Sequence, residues 1–286
     1  MECPNCHTHS YVNYRKINSY ILLKCLKCCL VYTYIQSKAN LFRINIHNYN
    51  SLYTDSYSQR EKKYIMRFKN NIFWLRKYKN IVNAKFLDIG CGAGTLLSIV
   101  KKDYTSNIYG VDANTYLVKF CKKRKLGIIK KASMGRLPFE NDMFDCIACF
   151  DVLEHSLEIK KNLLEIKRVL RTDGVLILQS PNHESLMRYS CGDLWDWWSP
   201  PDHLIHFSKK TLCAALSDCG YKFLYVKTYD ELIDFVKNVK GSLRKRGYNK
   251  FNTMIILFGF ILLRLPMNLF GYGGLTFVIA MRKNNE

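Results

Sequence analysis

The stretch Lys85-Phe86-Leu87-Asp88-Ile89-Gly90-Cys91-Gly92-Ala93-Gly94-Thr95-Leu96-Leu97 decides how the chain is read. Its first half is a short apolar run that carries an acid near its tip, the pattern of a buried strand. Its second half sets three glycines on alternate positions and then opens an apolar-periodic helix. Glycine admits a left-handed backbone and a close ligand approach, and the helix start beyond it offers unpaired N–H groups. A strand-end carboxylate beside such a turn suits a nucleoside carrying both an amine and a carboxylate. A dinucleotide fingerprint would need its third glycine at position 95, which is Thr95.

Beyond this turn, strand and helix signals alternate. Leu96 to Lys102 continues the helix, and Asn107 to Val111 reads as a second strand closed by Asp112. Such an acid at the tip of the second strand can bind both hydroxyls of a ribose. Thr115 to Lys125 is a helix and Gly127 to Lys131 a third strand. Leu137-Pro138-Phe139 turns the chain into a fourth, nearly all-apolar strand, Phe144 to Phe150. Leu157 to Leu170 is amphipathic, Thr172-Asp173-Gly174 a turn, and Val175 to Gln179 a fifth strand. Thr211 to Asp218, Tyr221 to Lys227, Asp230 to Val239, Phe251 to Leu265 and Gly274 to Met281 follow as helix, strand, two helices and strand. The rhythm predicts an α/β, doubly wound, mostly parallel sheet whose ligand lies over the carboxyl ends of the strands.

Residues 1–37 read as a separate ribbon. Cys3-Pro4-Asn5-Cys6 and Cys25-Leu26-Lys27-Cys28 form two C-x2-C pairs. Each pair makes a tight knuckle, and together Cys3, Cys6, Cys25 and Cys28 can hold one tetrahedral Zn²⁺ with a hairpin between them. Four protein ligands make such a metal structural, with no open position for chemistry. Cys29 is an alternative to Cys28, and His7 and His9 are spare donors. Residues 38–80 read as a linker and a bracing helix near Gln59 to Tyr78, apolar at Ile65, Phe68, Ile72 and Leu75. Tyr53 and Tyr57, just before it, are placed either near the ligand or in packing. Residues 81–286 form the main domain, with an aromatic-rich insertion at 181–207.

The 286 residues carry a formal charge of +21 and twelve cysteines. The basic residues are scattered, apart from short runs such as Lys122-Lys123-Arg124-Lys125, so the charge by itself does not assign a nucleic-acid partner. Twelve cysteines behind an N-terminus with neither a basic start nor an apolar run predict a reducing, cytoplasmic setting. Met254 to Leu263 is too short to span a bilayer before Arg264 and Pro266 interrupt it. Residues 251–265 therefore read as a core helix or as a peripheral contact with the inner face of a membrane.

With these residues in view, the chain resembles the class I S-adenosylmethionine-dependent methyltransferases. Phe86 to Gly94 matches the family's first motif, and Gly110-Val111-Asp112 its second. Leu137-Pro138-Phe139 with Phe144 to Ile147 and Asp151-Val152-Leu153-Glu154-His155 matches the next, and Leu170 to Leu176 the one after. The resemblance implies a seven-stranded sheet whose last strand inserts antiparallel beside the sixth. It also implies S-adenosylmethionine as cofactor. Gly90, Cys91, Gly92 and Gly94 would cradle its methionine part, with Asp88 nearby. Asp112 would hold the ribose, Ala113 would flank the adenine, and Phe150 would line the far side. Relatives often place an acid near Ser133, so here Ser133 or the adjacent backbone would meet the adenine amino group.

The ribbon, the Tyr-containing linker and the core together resemble methyltransferases of sugar and surface-polysaccharide biosynthesis, including nucleotide-sugar C-methyltransferases. Those carry a Glu-His-Leu stretch followed by an aromatic pair and Ser, for which this chain has Asp202-His203-Leu204-Ile205-His206-Phe207-Ser208. The predicted acceptor is accordingly a small molecule or glycan precursor, a nucleotide sugar or a lipid-linked sugar. The alternatives are an rRNA or tRNA methyltransferase, and a non-catalytic cofactor-binding protein that docks a partner through its ribbon. The ribbon has no basic-aromatic stripe beyond Lys24 and Lys27, and the chain has no Asn-Pro-Pro-Tyr-type motif, which counts against RNA.

Methyl transfer from a sulfonium needs alignment and, for a hydroxyl or enol acceptor, removal of a proton. His203 is the favoured base, polarised by Asp202. His155 is a second candidate that equally shapes a loop, and His206 reads as a packing residue. Trp195, Trp197 and Trp198 are read either as a cap over the cofactor or as a stacking surface for substrate.

Overall fold

The computed structural model describes residues 2–35 and 51–283, with 51–63 described by their backbone alone. The chain opens with three antiparallel strands, β1 (Tyr11–Ile17), β2 (Tyr20–Cys25) and β3 (Val31–Thr33). Helix α1 (Ser51–Arg76) follows, starting earlier than its apolar spacing marks; the side chains of Tyr53 and Tyr57 lie outside the described residues. Then come β4 (Phe86–Ile89), α2 (Thr95–Asp103), β5 (Ile108–Asp112), α3 (Thr115–Lys123), β6 (Ile128–Lys131) and β7 (Phe144–Phe150). After a 3-10 turn at Leu153–His155 the chain forms α4 (Ile159–Val169), β8 (Leu170–Pro181) and α5 (Leu186–Cys191). It finishes with β9 (Ile205–His206), α6 (Lys209–Asp218), β10 (Tyr221–Tyr229), α7 (Leu232–Lys245), α8 (Lys250–Leu269) and β11 (Leu275–Arg282).

Seven strands form one sheet in the order β10-β11-β8-β7-β4-β5-β6. Every pairing is parallel except those of β11, which runs antiparallel between β10 and β8. The fold is therefore the mostly parallel seven-stranded α/β architecture that the motif order predicts. Both faces of the sheet are covered, and the period of two sorts the strands between them. Leu87, Ile89, Ile147, Cys149, Leu176, Leu178, Val278 and Ala280 face one core together with Leu163 and Ile166 of α4. Phe86, Cys146, Ala148, Val175, Ile177, Phe277 and Ile279 face the other, under α1, α2 and α3. Ile72 and Leu75 of α1 are fully buried there, so this part of the helix packs against the sheet.

Two local readings change. Thr172-Asp173-Gly174 does not separate a helix from a strand; it bulges inside β8, whose register with β7 passes from Phe144↔Leu170 to Cys146↔Val175. The small sheet has the order β1-β2-β3-β9, so its last strand comes from the insertion, through Val31↔His206 and Tyr32↔Ile205. Cys3, Leu23, Cys25, Leu30 and Tyr32 pack into the same core as β4, β7 and β8. The ribbon and the main sheet thus share one apolar interior.

Candidate functional site

The turn after β4 is built so that two of its glycines pack and one faces open space. Gly90, Gly92 and Gly94 all have positive φ, at 71°, 53° and 81°. A Cβ at Gly90 would lie 2.3 Å from Val152 Cγ2, and one at Gly94 2.2 Å from Leu126 Cδ1. A Cβ at Gly92 would meet nothing within 4 Å among the described residues. Gly92 lines a cavity of about 430 Å³ over the carboxyl edge of the sheet, with Gly90, Cys91 and Asp88. Gly94 stands just behind this wall as the N-cap of α2.

Asp112, at the tip of β5, projects a fixed carboxylate into this cavity. Its Oδ2 accepts from the Gly92 N–H at 2.9 Å and its Oδ1 from the Asn114 N–H at 2.8 Å. Asn114 in turn caps α3, its Oδ1 accepting from the Tyr116 and Leu117 N–H groups. Burial pushes the Asp112 carboxyl up, against the pull of those two N–H donors. Burial, followed by the nearby Cys121 and Asp112, pushes Asp88 well above the usual carboxylate range, which suits shaping the floor over carrying charge. Ala113, Ser133 and Phe150 line the same cavity. The cradle of open space at Gly92 and the anchored carboxylate beside it fit a nucleoside cofactor. Gly92→Ala tests the fit: its methyl enters the cradle, so cofactor affinity measured by calorimetry falls about tenfold or more, while stability falls by about 1 kcal/mol for the left-handed φ.

A larger cleft of about 1140 Å³ opens on the other side, between Cys3, Pro4 and His7 of the ribbon and Lys160, Lys161 and Leu164 of α4. His155 lines both cavities and stands where they meet. Its Nδ1 lies 2.8 Å from the Asp202 carbonyl oxygen, and the Nδ1 of His203 lies 3.0 Å from the Trp197 carbonyl oxygen. A carbonyl can only accept, so each ring carries a proton on Nδ1. The two rings lie edge to face, 4.9 Å apart. Glu154 completes the cluster: a carboxylate oxygen and one nitrogen of each ring lie within 4.8 Å of one another. Its Oε2 accepts from Ser180 at 3.1 Å, and its Oε1 is buried with no hydrogen-bond partner among the described residues. Burial and then the charge of Asp151 hold Glu154 well above the ordinary carboxylate range. Burial, with His155 beside it, lowers His203 to about 4, so its ring is neutral at physiological pH.

The part sketched for Asp202 differs in the structure. The partner that orients His203 is the Trp197 carbonyl, while Asp202 uses its main-chain carbonyl to orient His155 and lines the smaller cavity. His206 is buried, 3.2 Å from the Thr33 hydroxyl and edge-on to Trp198, as a packing residue should be. Trp195 and Trp198 are 2% and 5% exposed, and they fill a core between Ile17, Leu22 and Val31 of the ribbon and Phe235 and Val239 of α7. Neither lines the cavity at Gly92. Their burial makes them structural members of the insertion, and only Trp197 keeps part of its ring exposed.

Sequence reading missed one network. Arg67 of α1 is buried, pairs with Asp151 at 3.1 Å and Glu231 at 3.5 Å, and lines the smaller cavity with Tyr64 and Phe68. Asp151, held at φ 56°, also accepts from Gln179 Nε2 at 3.0 Å, and Gln179 accepts from Asn71 at 3.1 Å. Phe68 stacks on Phe150 with centroids 5.7 Å apart. The signal was present: Arg67 and Asn71 are polar, four residues apart, and lie beside an apolar stripe.

In the ribbon, Cys3 and Cys28 have their sulfurs 3.5 Å apart, as do Cys6 and Cys25. All four sulfurs lie within 4.8 Å of one another, against about 3.8 Å across a tetrahedral site with Zn–S bonds near 2.3 Å. The two knuckles repeat one geometry. The N–H of His7 donates to the Cys3 carbonyl and that of Cys29 to the Cys25 carbonyl, each at 3.0 Å, and both residues have positive φ. Cys29 is exposed, so Cys28 is the fourth member of the cluster.

Comparison with known proteins agrees with this geometry. The family described as "Methyltransferase domain" matches residues 87–178. An uncharacterized protein of Methanocaldococcus jannaschii is 33% identical over 206 residues, covering 68% of this chain and 89% of that protein. The ubiquinone biosynthesis O-methyltransferase of Pelagibacter ubique is 29% identical over 163 residues, covering 51% of this chain and 68% of that protein. Among solved structures, a SAM-dependent methyltransferase from Archaeoglobus fulgidus superposes with a TM-score of 0.56 at 18% identity, over 82% of this chain and all of that one.

Proposed function

We propose, from the premise that this chain belongs to the class I S-adenosylmethionine-dependent methyltransferases, that it methylates a small glycan precursor held in the cleft between ribbon and α4. The observation that carries the reading is the position of His155, which opens on the Gly92 cavity and on that cleft at once. The cofactor, when bound, supplies an activated methyl on a sulfonium. The residues that would hold it are Gly90, Cys91, Gly92 and Gly94 around its methionine part, Asp112 at the ribose, and Ala113, Ser133 and Phe150 around the adenine. The resemblance to polysaccharide-pathway enzymes supports a sugar acceptor.

The protein's own work is alignment and proton removal. Each imidazole holds its Nδ1 proton against a main-chain carbonyl, and the low pKa of His203, whose ring lies edge to face with that of His155, keeps its Nε2 lone pair available as an acceptor well below neutrality. The four ribbon cysteines would hold one structural Zn²⁺, which would fix the wall of the cleft that carries Cys3 and His7.

A mass-spectrometric screen for labelled methyl groups among nucleotide sugars, glycolipids and RNA tests the acceptor. A gain of mass confined to RNA overturns the reading. With an acceptor in hand, His203→Ala lowers kcat about 100-fold and leaves KM nearly unchanged. The rate of the wild-type protein holds as pH falls past 6 and drops only toward pH about 4, where His203 takes up a proton. A fall centred on the ordinary histidine range, near about 6.5, removes His203 as the base.

A further inference from the structure

Helix α8 is apolar on both sides. Ile256, Leu257, Phe260, Ile261 and Met267 recur at helical spacing and pack against the Trp195 and Phe235 core. The opposite side presents Phe251, Met254, Ile255, Phe258, Leu262 and Leu265, each between 57% and 72% exposed. Of the residues of α8 only Thr253 is buried. A surface helix of a water-facing protein shows a polar outer face, and this one does not.

The length of α8 suffices to cross a bilayer core by composition, at roughly 1.5 Å per residue. Its tethers do not allow it. The chain enters from α7 through residues 246–249 and leaves through residues 270–274 into β11, a strand inside the main sheet. Near its C-terminal end Arg264 donates to the Asp230 carbonyl at 3.0 Å, and the Asn268 carbonyl accepts from Thr228 at 2.9 Å. A helix held to the body along one side can enter a bilayer only lengthwise, in the interface plane.

Charge selects the surface. Residues 235–285 contain no Asp or Glu and nine Lys or Arg. Arg244, Lys245, Arg246 and Lys250 are all exposed where α7 hands over to α8. An apolar face bordered by unopposed cations matches an anionic bilayer. A second copy of the chain would instead bring two acid-free basic stretches together. Tyr229↔Leu275 pairing places both ends of the α7–α8 excursion at the carboxyl edge of the sheet, the edge that carries Asp112 and Asp151.

We propose that α8 lies in the surface of an anionic phospholipid bilayer and thereby brings the acceptor cleft to a lipid-borne substrate. The choice of acceptor rests on the methyl-transfer reading; the bilayer contact does not. Flotation of the full chain with vesicles of phosphatidylcholine, with and without phosphatidylglycerol, tests it without substrate or cofactor. The chain co-floats with the anionic vesicles, and the double variant Phe258→Asp, Leu262→Asp loses at least about tenfold of that partitioning. Both side chains are exposed, so calorimetric cofactor affinity stays unchanged in the variant and reports an intact fold. Lys245→Glu with Lys250→Glu weakens the contact on anionic vesicles only. No co-flotation, undiminished flotation of the aspartate variant, or equal retention on phosphatidylcholine alone overturns the proposal. So does a dimer seen by ultracentrifugation that the aspartate substitutions dissociate. Loss of cofactor binding in the wild-type protein would strike the methyl-transfer reading and leave the flotation result standing.

Discussion

If Cys3, Cys6, Cys25 and Cys28 hold one zinc per chain as proposed, replacing Cys3 and Cys25 by Ser is expected to remove it and to dismantle the small sheet. A structural zinc site with four thiolate ligands contributes on the order of 10 kcal/mol of apparent binding free energy, which in a small unit is folding free energy. β3 has three residues and β9 two, so these strands contribute little stability of their own. The damage does not stay local, because Cys3 and Cys25 are fully buried in the core that also holds Leu87, Ile147 and Leu176. The metal-free variant therefore unfolds at lower temperature, by roughly 2–4 °C for each kcal/mol that reaches the main sheet. Activity goes with it. β9 begins two residues after His203 and is pinned to β3 through Ile205↔Tyr32, so a loosened ribbon releases the imidazole pair. Metal analysis and a thermal melt check this. Unchanged zinc content in the double variant would show that the four sulfurs converge for another reason.

Asp112→Asn produces the second large effect, on cofactor affinity. Both carboxylate oxygens accept from main-chain N–H groups, one from Gly92 and one from Asn114. An amide must turn an NH₂ toward one of these donors, so it loses a hydrogen bond, turns the side chain and gives up the charge that a ribose diol needs. Two charge-assisted bonds at about 1.5 kcal/mol each amount to about 3 kcal/mol, or roughly 100-fold in affinity. Calorimetry with S-adenosylmethionine or its demethylated product reads it directly. The fold persists in the variant, because Asn114 still caps α3 with its own side chain. Undiminished affinity would move the ribose anchor elsewhere while leaving the Gly92 cradle in place.

Resemblance and local pattern reached much of the site, and the reason is geometric. Asp88, the glycine turn and Asp112 sit at strand ends, and a strand's position and tip are set by its own apolar run and the turn after it. The cysteine knuckles are equally local, each closed by two main-chain bonds, one across four positions and one across five. Arg67 with Asp151, and His155 with the carbonyl of Asp202, are partners from distant segments that meet only after the sheet has closed. The tryptophans show the same limit from the other side. An aromatic cluster in an insertion reads alike for stacking and for packing, and only the arrival of α7 and the ribbon around Trp195 and Trp198 buries them.

By itself the amino-acid sequence determined the alternation of strands and helices, the order of the motifs and, through their resemblance to a known family, the identity of the cofactor, because period, turn chemistry and spacing act within a few residues of one another. Tertiary structure alone decided that β9 completes the ribbon's sheet, that His155 stands between two cavities, and that α8 keeps an apolar face outward. Each of these depends on which surfaces are covered when distant segments close on one another, and burial is a property of the assembled chain, not of any stretch within it.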